Sequence, residues 1–147
     1  MEQRFNYFKV ALVSAFLITS TLTTNGRLVA QQAVTPAVAQ ETITPLTSKD
    51  LAGLPGQEIL TYTVTFPADF SSSIHRRNAQ VFVYVLEGSV VMQVRGGKEV
   101  TLRPGESFDE DPNDIHVVSR NASRTKSAKF LVFLTHQKGA PLVIPAE

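Results

Sequence analysis

The chain has 147 residues, enough for one domain with a real core. Its net charge of +1, with the basic residues scattered rather than clustered, argues against a nucleic-acid partner. It contains no cysteine, which excludes a structural disulfide, an iron–sulfur cluster and a thiolate zinc site.

Residues 1–30 read as an export signal. Arg4 and Lys9 supply a positive start, and Val10 to Leu22 is apolar apart from small hydroxyl residues. The apolar run is short of the roughly 20 residues a bilayer span needs, so no stable membrane span is expected after cleavage. Small residues offer cleavage points at Ala30 or within Ala37-Val38-Ala39. The expected location is periplasmic or extracellular. Loss of residues 1–30 removes Arg4, Lys9, Arg27 and Glu2 and leaves a chain close to neutral. Residues 31–48 are rich in Gln, Ala, Thr, Val and Pro and hold no steady period, so they read as a flexible linker or arm.

The domain proper is expected over residues 49–147. Pro55-Gly56 suits a type II turn. Glu58 to Phe66 alternates, with Leu60, Tyr62, Val64 and Phe66 on one face and Thr61, Thr63 and Thr65 on the other, and Pro67 ends it. That is strand periodicity with one buried face. Val81 to Leu86 is apolar on both faces, as a strand between two packed sheets would be. Val90 to Arg95 is a further strand. Gly96-Gly97 joins it to Lys98–Leu102 as a hairpin, and Pro104-Gly105 is another tight turn. Glu106 to Asp111 is a short acidic run interrupted by Phe108. Pro112-Asn113-Asp114 turns the chain into a strand from Ile115 to Ser119. Phe130 to Leu134 is a second fully apolar strand, and Leu142 to Ile144 is a last edge strand. Many short strands with frequent turns and no helix after the export signal predict an all-β sandwich or barrel.

Two blocks carry a family resemblance. The first is His75-Arg76-Arg77-Asn78-Ala79-Gln80-Val81-Phe82-Val83-Tyr84-Val85-Leu86-Glu87-Gly88. The second runs from Pro104-Gly105-Glu106 through Pro112-Asn113-Asp114-Ile115-His116 to Asn121. In this order they resemble the two motifs of small single-domain cupins, whose fold is a double-stranded β-helix, or jelly roll. The resemblance implies a cupin barrel after the signal and linker, with a small-molecule ligand inside it. It also implies one divalent metal, iron, manganese, zinc, nickel or copper, held by a His-x-His pair, a Glu and a later His. Here the first motif is degenerate. His75 and His116 match, but Arg77 stands at the second His position and Val81 at the Glu position. Gln80, one residue earlier, is the substitute oxygen ligand if the strand bulges.

Three readings of the pocket stay open. One is a metal site of His75, His116 and Gln80. Another is a metal-free, non-catalytic binding or sensing pocket with Arg77 as an anion anchor, since guanidinium suits bidentate capture of carboxylate. The third has no ligand that matters. Phe82 and Tyr84 are expected to line the pocket. If the protein is an enzyme, the resemblance implies a metal-dependent oxygenase or isomerase acting on a small organic acid or phenol, with catalytic residues unassigned. A structural module pairing as a homodimer is a further class. The acidic residues Glu106, Asp109, Glu110, Asp111 and Asp114 lack EF-hand spacing and read as a solvated loop. His136 reads as exposed. Asn121-Ala122-Ser123 is a glycosylation triplet that matters only in a eukaryotic secretory pathway.

Overall fold

The computed structural model describes residues 39–147; the expected signal segment lies outside them. Ten strands follow in order: β1 (Thr42–Asp50), β2 (Gln57–Phe66), β3 (His75–Arg76), β4 (Ala79–Glu87), β5 (Val90–Val94), β6 (Val100–Leu102), β7 (Ser107–Glu110), β8 (Ile115–Asn121), β9 (Ala128–Gln137) and β10 (Ile144–Pro145). They form two five-stranded antiparallel sheets, ordered β1-β2-β9-β4-β7 and β10-β3-β8-β5-β6. The described domain is all-β, with the paired sheets of a double-stranded β-helix.

Alternation along the strands builds the core. In β4, Ala79, Val81, Val83 and Val85 point inward, and Val81 and Val85 are fully buried. In β9, Phe130, Val132 and Leu134 do the same, and β2 adds Leu60, Tyr62, Val64 and Phe66. Val90, Met92 and Leu102 close the cluster from the opposite sheet. Phe66 meets Phe130 edge-on at 4.9 Å between ring centres. Gly88 ends β4 with φ of 70°; a Cβ there would lie 2.7 Å from the Ser127 carbonyl oxygen, so only glycine fits.

The structure departs from the sequence reading at several elements. Part of the stretch read as a linker is β1, paired with β2 from Thr42↔Thr65 to Asp50↔Glu58. All nine of its residues are exposed, which is why no buried-face period marks it. The strands read as apolar on both faces bury only one: Phe82, Tyr84 and Leu86 on β4 and Phe133 on β9 face solvent. The β5–β6 connection is longer than a two-residue hairpin, since Met92 pairs with Val100 and the Gly97 N–H donates to the Val94 carbonyl.

Asn121 is 4% exposed and acts as a pin rather than an open glycosylation acceptor. Its Nδ2 donates to the carbonyls of Pro67 at 2.9 Å and Lys126 at 2.8 Å, and its Oδ1 accepts the Ser123 N–H at 2.8 Å.

Candidate functional site

Four strands or strand ends bring one polar cluster into the barrel. Short strand β3 places His75 directly opposite His116 of β8, as Cα partners in an antiparallel pair. Their ring centres lie 5.3 Å apart, and both residues are buried. Arg77, in the link from β3 to β4, reaches inward, and its Nη1 donates to Glu110 Oε2 at 3.2 Å. Glu110 comes from β7, where it pairs across from Val81. The carboxylate is therefore supplied by the strand beside the position where the family motif expects its Glu.

Each group has a definable state. His75 Nδ1 lies 2.8 Å from the Ser73 carbonyl oxygen. A carbonyl only accepts, so the proton sits on Nδ1 and leaves a lone pair on Nε2. That Nε2 is buried and has no partner among the described residues. Burial first, then the Arg77 charge, holds the His75 pKa below its usual value, so the ring is neutral at pH 7. Burial pushes the Glu110 carboxyl upward, but His116 and Arg77 together outweigh it, and its pKa is lowered. Glu110 is thus an ionised carboxylate that is only 2% exposed. His116 stacks on Phe108 with ring centres 5.8 Å apart. Its Nδ1 lies 3.3 Å from Glu110 Oε1, too poorly directed to count as a hydrogen bond. Tyr62, buried beside Arg77, has its hydroxyl pKa raised by burial and remains a neutral phenol.

The sequence-predicted residues divide. The structure brings His75, Arg77 and His116 together. Gln80 stays outside: it alternates with the inward Ala79 and Val81, and its Nε2 donates to the Glu110 backbone carbonyl at 3.0 Å. Phe82 and Tyr84, expected as pocket lining, lie on the solvent face of β4 at 48% and 46% exposure. Their rings cannot reach the barrel interior without reversing the strand's faces.

Glu110 is not part of the solvated loop that its acidic neighbours suggest, but a buried residue of β7. Phe108 was the available signal: in a strand, the residue two after an inward aromatic shares its face. His136 is corrected likewise. β9 runs three residues past Leu134, so His136 falls on the buried face, with its Nε2 3.2 Å from Glu58 Oε1.

A family-type divalent centre does not fit this cluster. Among the described residues, no three His, Asp or Glu side chains converge to hold a metal ion. The carboxylate nearest the two imidazoles is already bonded to a guanidinium, which is permanently charged and cannot coordinate. A dication placed between the imidazoles and Glu110 would face that charge directly.

Two sheets closed over an inward-facing histidine pair, with a glycine-ended first motif and an asparagine-pinned second one, define a double-stranded β-helix barrel. A family model described as the cupin domain matches residues 62–134. The chain belongs to the cupin superfamily. No curated protein matches it in sequence. Among solved structures, it is similar to the DMSP lyase DddQ of Ruegeria pomeroyi DSS-3, with 18% identity and a TM-score of 0.54 over 60% of this chain and 43% of that one. It is also similar to a cupin superfamily protein of Desulfitobacterium hafniense DCB-2, with 16% identity and a TM-score of 0.51 over 64% of this chain and 75% of that one. A cupin-like protein of Thermotoga maritima shows 17% identity and a TM-score of 0.53, over 70% of this chain and 79% of that one. The alignments span less than half of the DMSP lyase chains, 43% and 44%. At these identities the likeness concerns the fold.

Proposed function

We propose that this cupin is a metal-independent, non-catalytic binding protein for a small oxygen-bearing molecule, held at the Arg77–Glu110–His75–His116 cluster. The observation that carries this reading is the 3.2 Å Arg77–Glu110 bond lying beside two buried imidazoles. Two complementary polar atoms of the cluster are left unsatisfied. Among the described residues, Arg77 Nε is a buried donor without a partner, and His75 Nε2 is a buried acceptor without one. A ligand that presents a carbonyl or carboxylate oxygen to the first and a hydroxyl to the second would satisfy both. Hydroxy acids and phenolic acids combine these groups.

The experiment is isothermal titration calorimetry on chelator-treated protein, with hydroxy acids and phenolic acids as ligands. Binding that persists in the chelator and is lost in Arg77→Leu supports the reading. Ligands that bind only when a divalent ion is added back would overturn it. We further propose export, supported by Arg4 and Lys9 ahead of the apolar run from Val10 to Leu22. Recovered mature protein that still begins at Met1 would refute export.

A further inference from the structure

A second polar site lies outside the barrel cluster. At the end of the first sheet, an open depression of about 380 Å3 is lined by Gln57, Asn78, Gln80, Thr135, His136 and Gln137. That volume falls within the roughly 300–1,000 Å3 of small-molecule sites. Three features set it apart from an ordinary surface dip. The first is its chemistry: among the described residues, none of its lining side chains is Lys, Arg, Asp or Glu, and the polar ones are four carboxamides, a hydroxyl and an imidazole. The second is apolar relief, since Ala79, Pro112 and Ala140 complete the wall.

The third feature is His136 itself. Its side chain is only 4% exposed, yet neither ring nitrogen makes a well-directed hydrogen bond. Nε2 faces Glu58 Oε1 at 3.2 Å, and Glu58 is in turn fixed by Ser48, whose Oγ donates to Oε2 at 3.0 Å. Nδ1, on the other side of the ring, is buried with no hydrogen-bond partner among the described residues. An orphaned buried polar atom is costly, so its retention points to a partner that arrives from outside.

We infer that this depression is a binding site for a neutral polyhydroxylated ligand, a monosaccharide or cyclic polyol. Carboxamides donate and accept at once, as paired sugar hydroxyls require. The uncharged lining offers no counterion to a phosphate or carboxylate. Small apolar side chains can take the C–H face of a pyranose ring, and one ligand hydroxyl pairs with the unsatisfied ring nitrogen of His136. The lining of this depression shares no residue with the cluster of His75, Arg77, Glu110 and His116.

The test is a nuclear magnetic resonance titration of the 15N-labelled protein with D-glucose, D-mannose and myo-inositol, and with glucose 6-phosphate for comparison. The expected result is saturable shifts of the side-chain amides of Gln57, Asn78, Gln80 and Gln137 with at least one neutral ligand. Affinity should fall roughly tenfold in His136→Leu, the loss of one hydrogen bond to a buried ring nitrogen. Gln137→Leu should fall likewise; Gln137 is exposed, so this variant keeps the fold if His136→Leu does not. No shift at these amides with any neutral ligand would overturn the assignment. So would binding of glucose 6-phosphate alone, shifts confined to the rings of His75 and His116, or undiminished affinity in Gln137→Leu.

Discussion

Replacing Glu110 by Gln probes the buried ion pair most directly. At 3.2 Å and an effective dielectric near 20, the Coulomb attraction between Arg77 and Glu110 is about 5 kcal/mol. Desolvation of the two ions costs several kcal/mol each and offsets most of it, so the intact pair contributes little net stability. Glu110→Gln does not restore that balance. It keeps the shape of the carboxylate and an oxygen for Arg77 Nη1, but it strands a guanidinium whose side chain is only 16% exposed. Loss of one partner from a buried pair costs about 3–5 kcal/mol. The retained acceptor and partial exposure of Arg77 put this variant near 3 kcal/mol. In a domain of this size that lowers Tm by roughly 10–20 °C. Thermal and urea unfolding measure it, with Asp109→Asn, the exposed neighbour, as a control expected within about 0.5 kcal/mol of wild type. In the double variant Arg77→Met, Glu110→Gln, the losses should be less than additive by about 1–3 kcal/mol. A Glu110→Gln protein as stable as wild type, or strictly additive losses, would refute the account of the pair.

Other outcomes follow from the same geometry. Because the His75 pKa is depressed by burial and by Arg77, its contribution to stability is present above 6.5 and is lost as pH falls through its lower folded value. Urea midpoints measured downward from pH 7 should therefore decline in wild type, and less steeply in His75→Gln. Gly88→Ala forces a Cβ to 2.7 Å from a carbonyl oxygen at φ of 70° and should cost at least about 1–3 kcal/mol, read from Tm. Leu134→Ala empties a fully buried position and should cost about 2–5 kcal/mol, well above Phe133→Ala one residue earlier on the exposed face. The reverse order in urea unfolding would mean that β9 presents the other face to the core.

Much of the barrel is legible in the sequence because it rests on short-range signals. Alternation in Glu58–Phe66, the glycine turn at Gly88 and the Pro-Gly turn at 104–105 each dictate local backbone shape. The pairing of His75 with His116 is non-local, but the ordered cupin motifs carry it. What stays hidden depends on which face a strand turns inward. Val81–Leu86 is apolar throughout, so composition cannot say that Phe82 and Tyr84 look outward. Register against β9 decides it. Glu110 is masked by four acidic neighbours in the same stretch, and its burial becomes intelligible only when Arg77 is seen to reach it. β1 escapes because an edge strand exposed on both faces has no buried period to read.

The central claim is that an internal ion pair takes the place of a metal centre. Elemental analysis of natively purified protein, paired with thermal melts with and without chelator, tests it most directly. The account predicts no stoichiometric divalent metal and an unchanged Tm. A stoichiometric metal ion that vanishes in the His75→Ala, His116→Ala variant, with a Tm that falls on chelation of wild type, would contradict it.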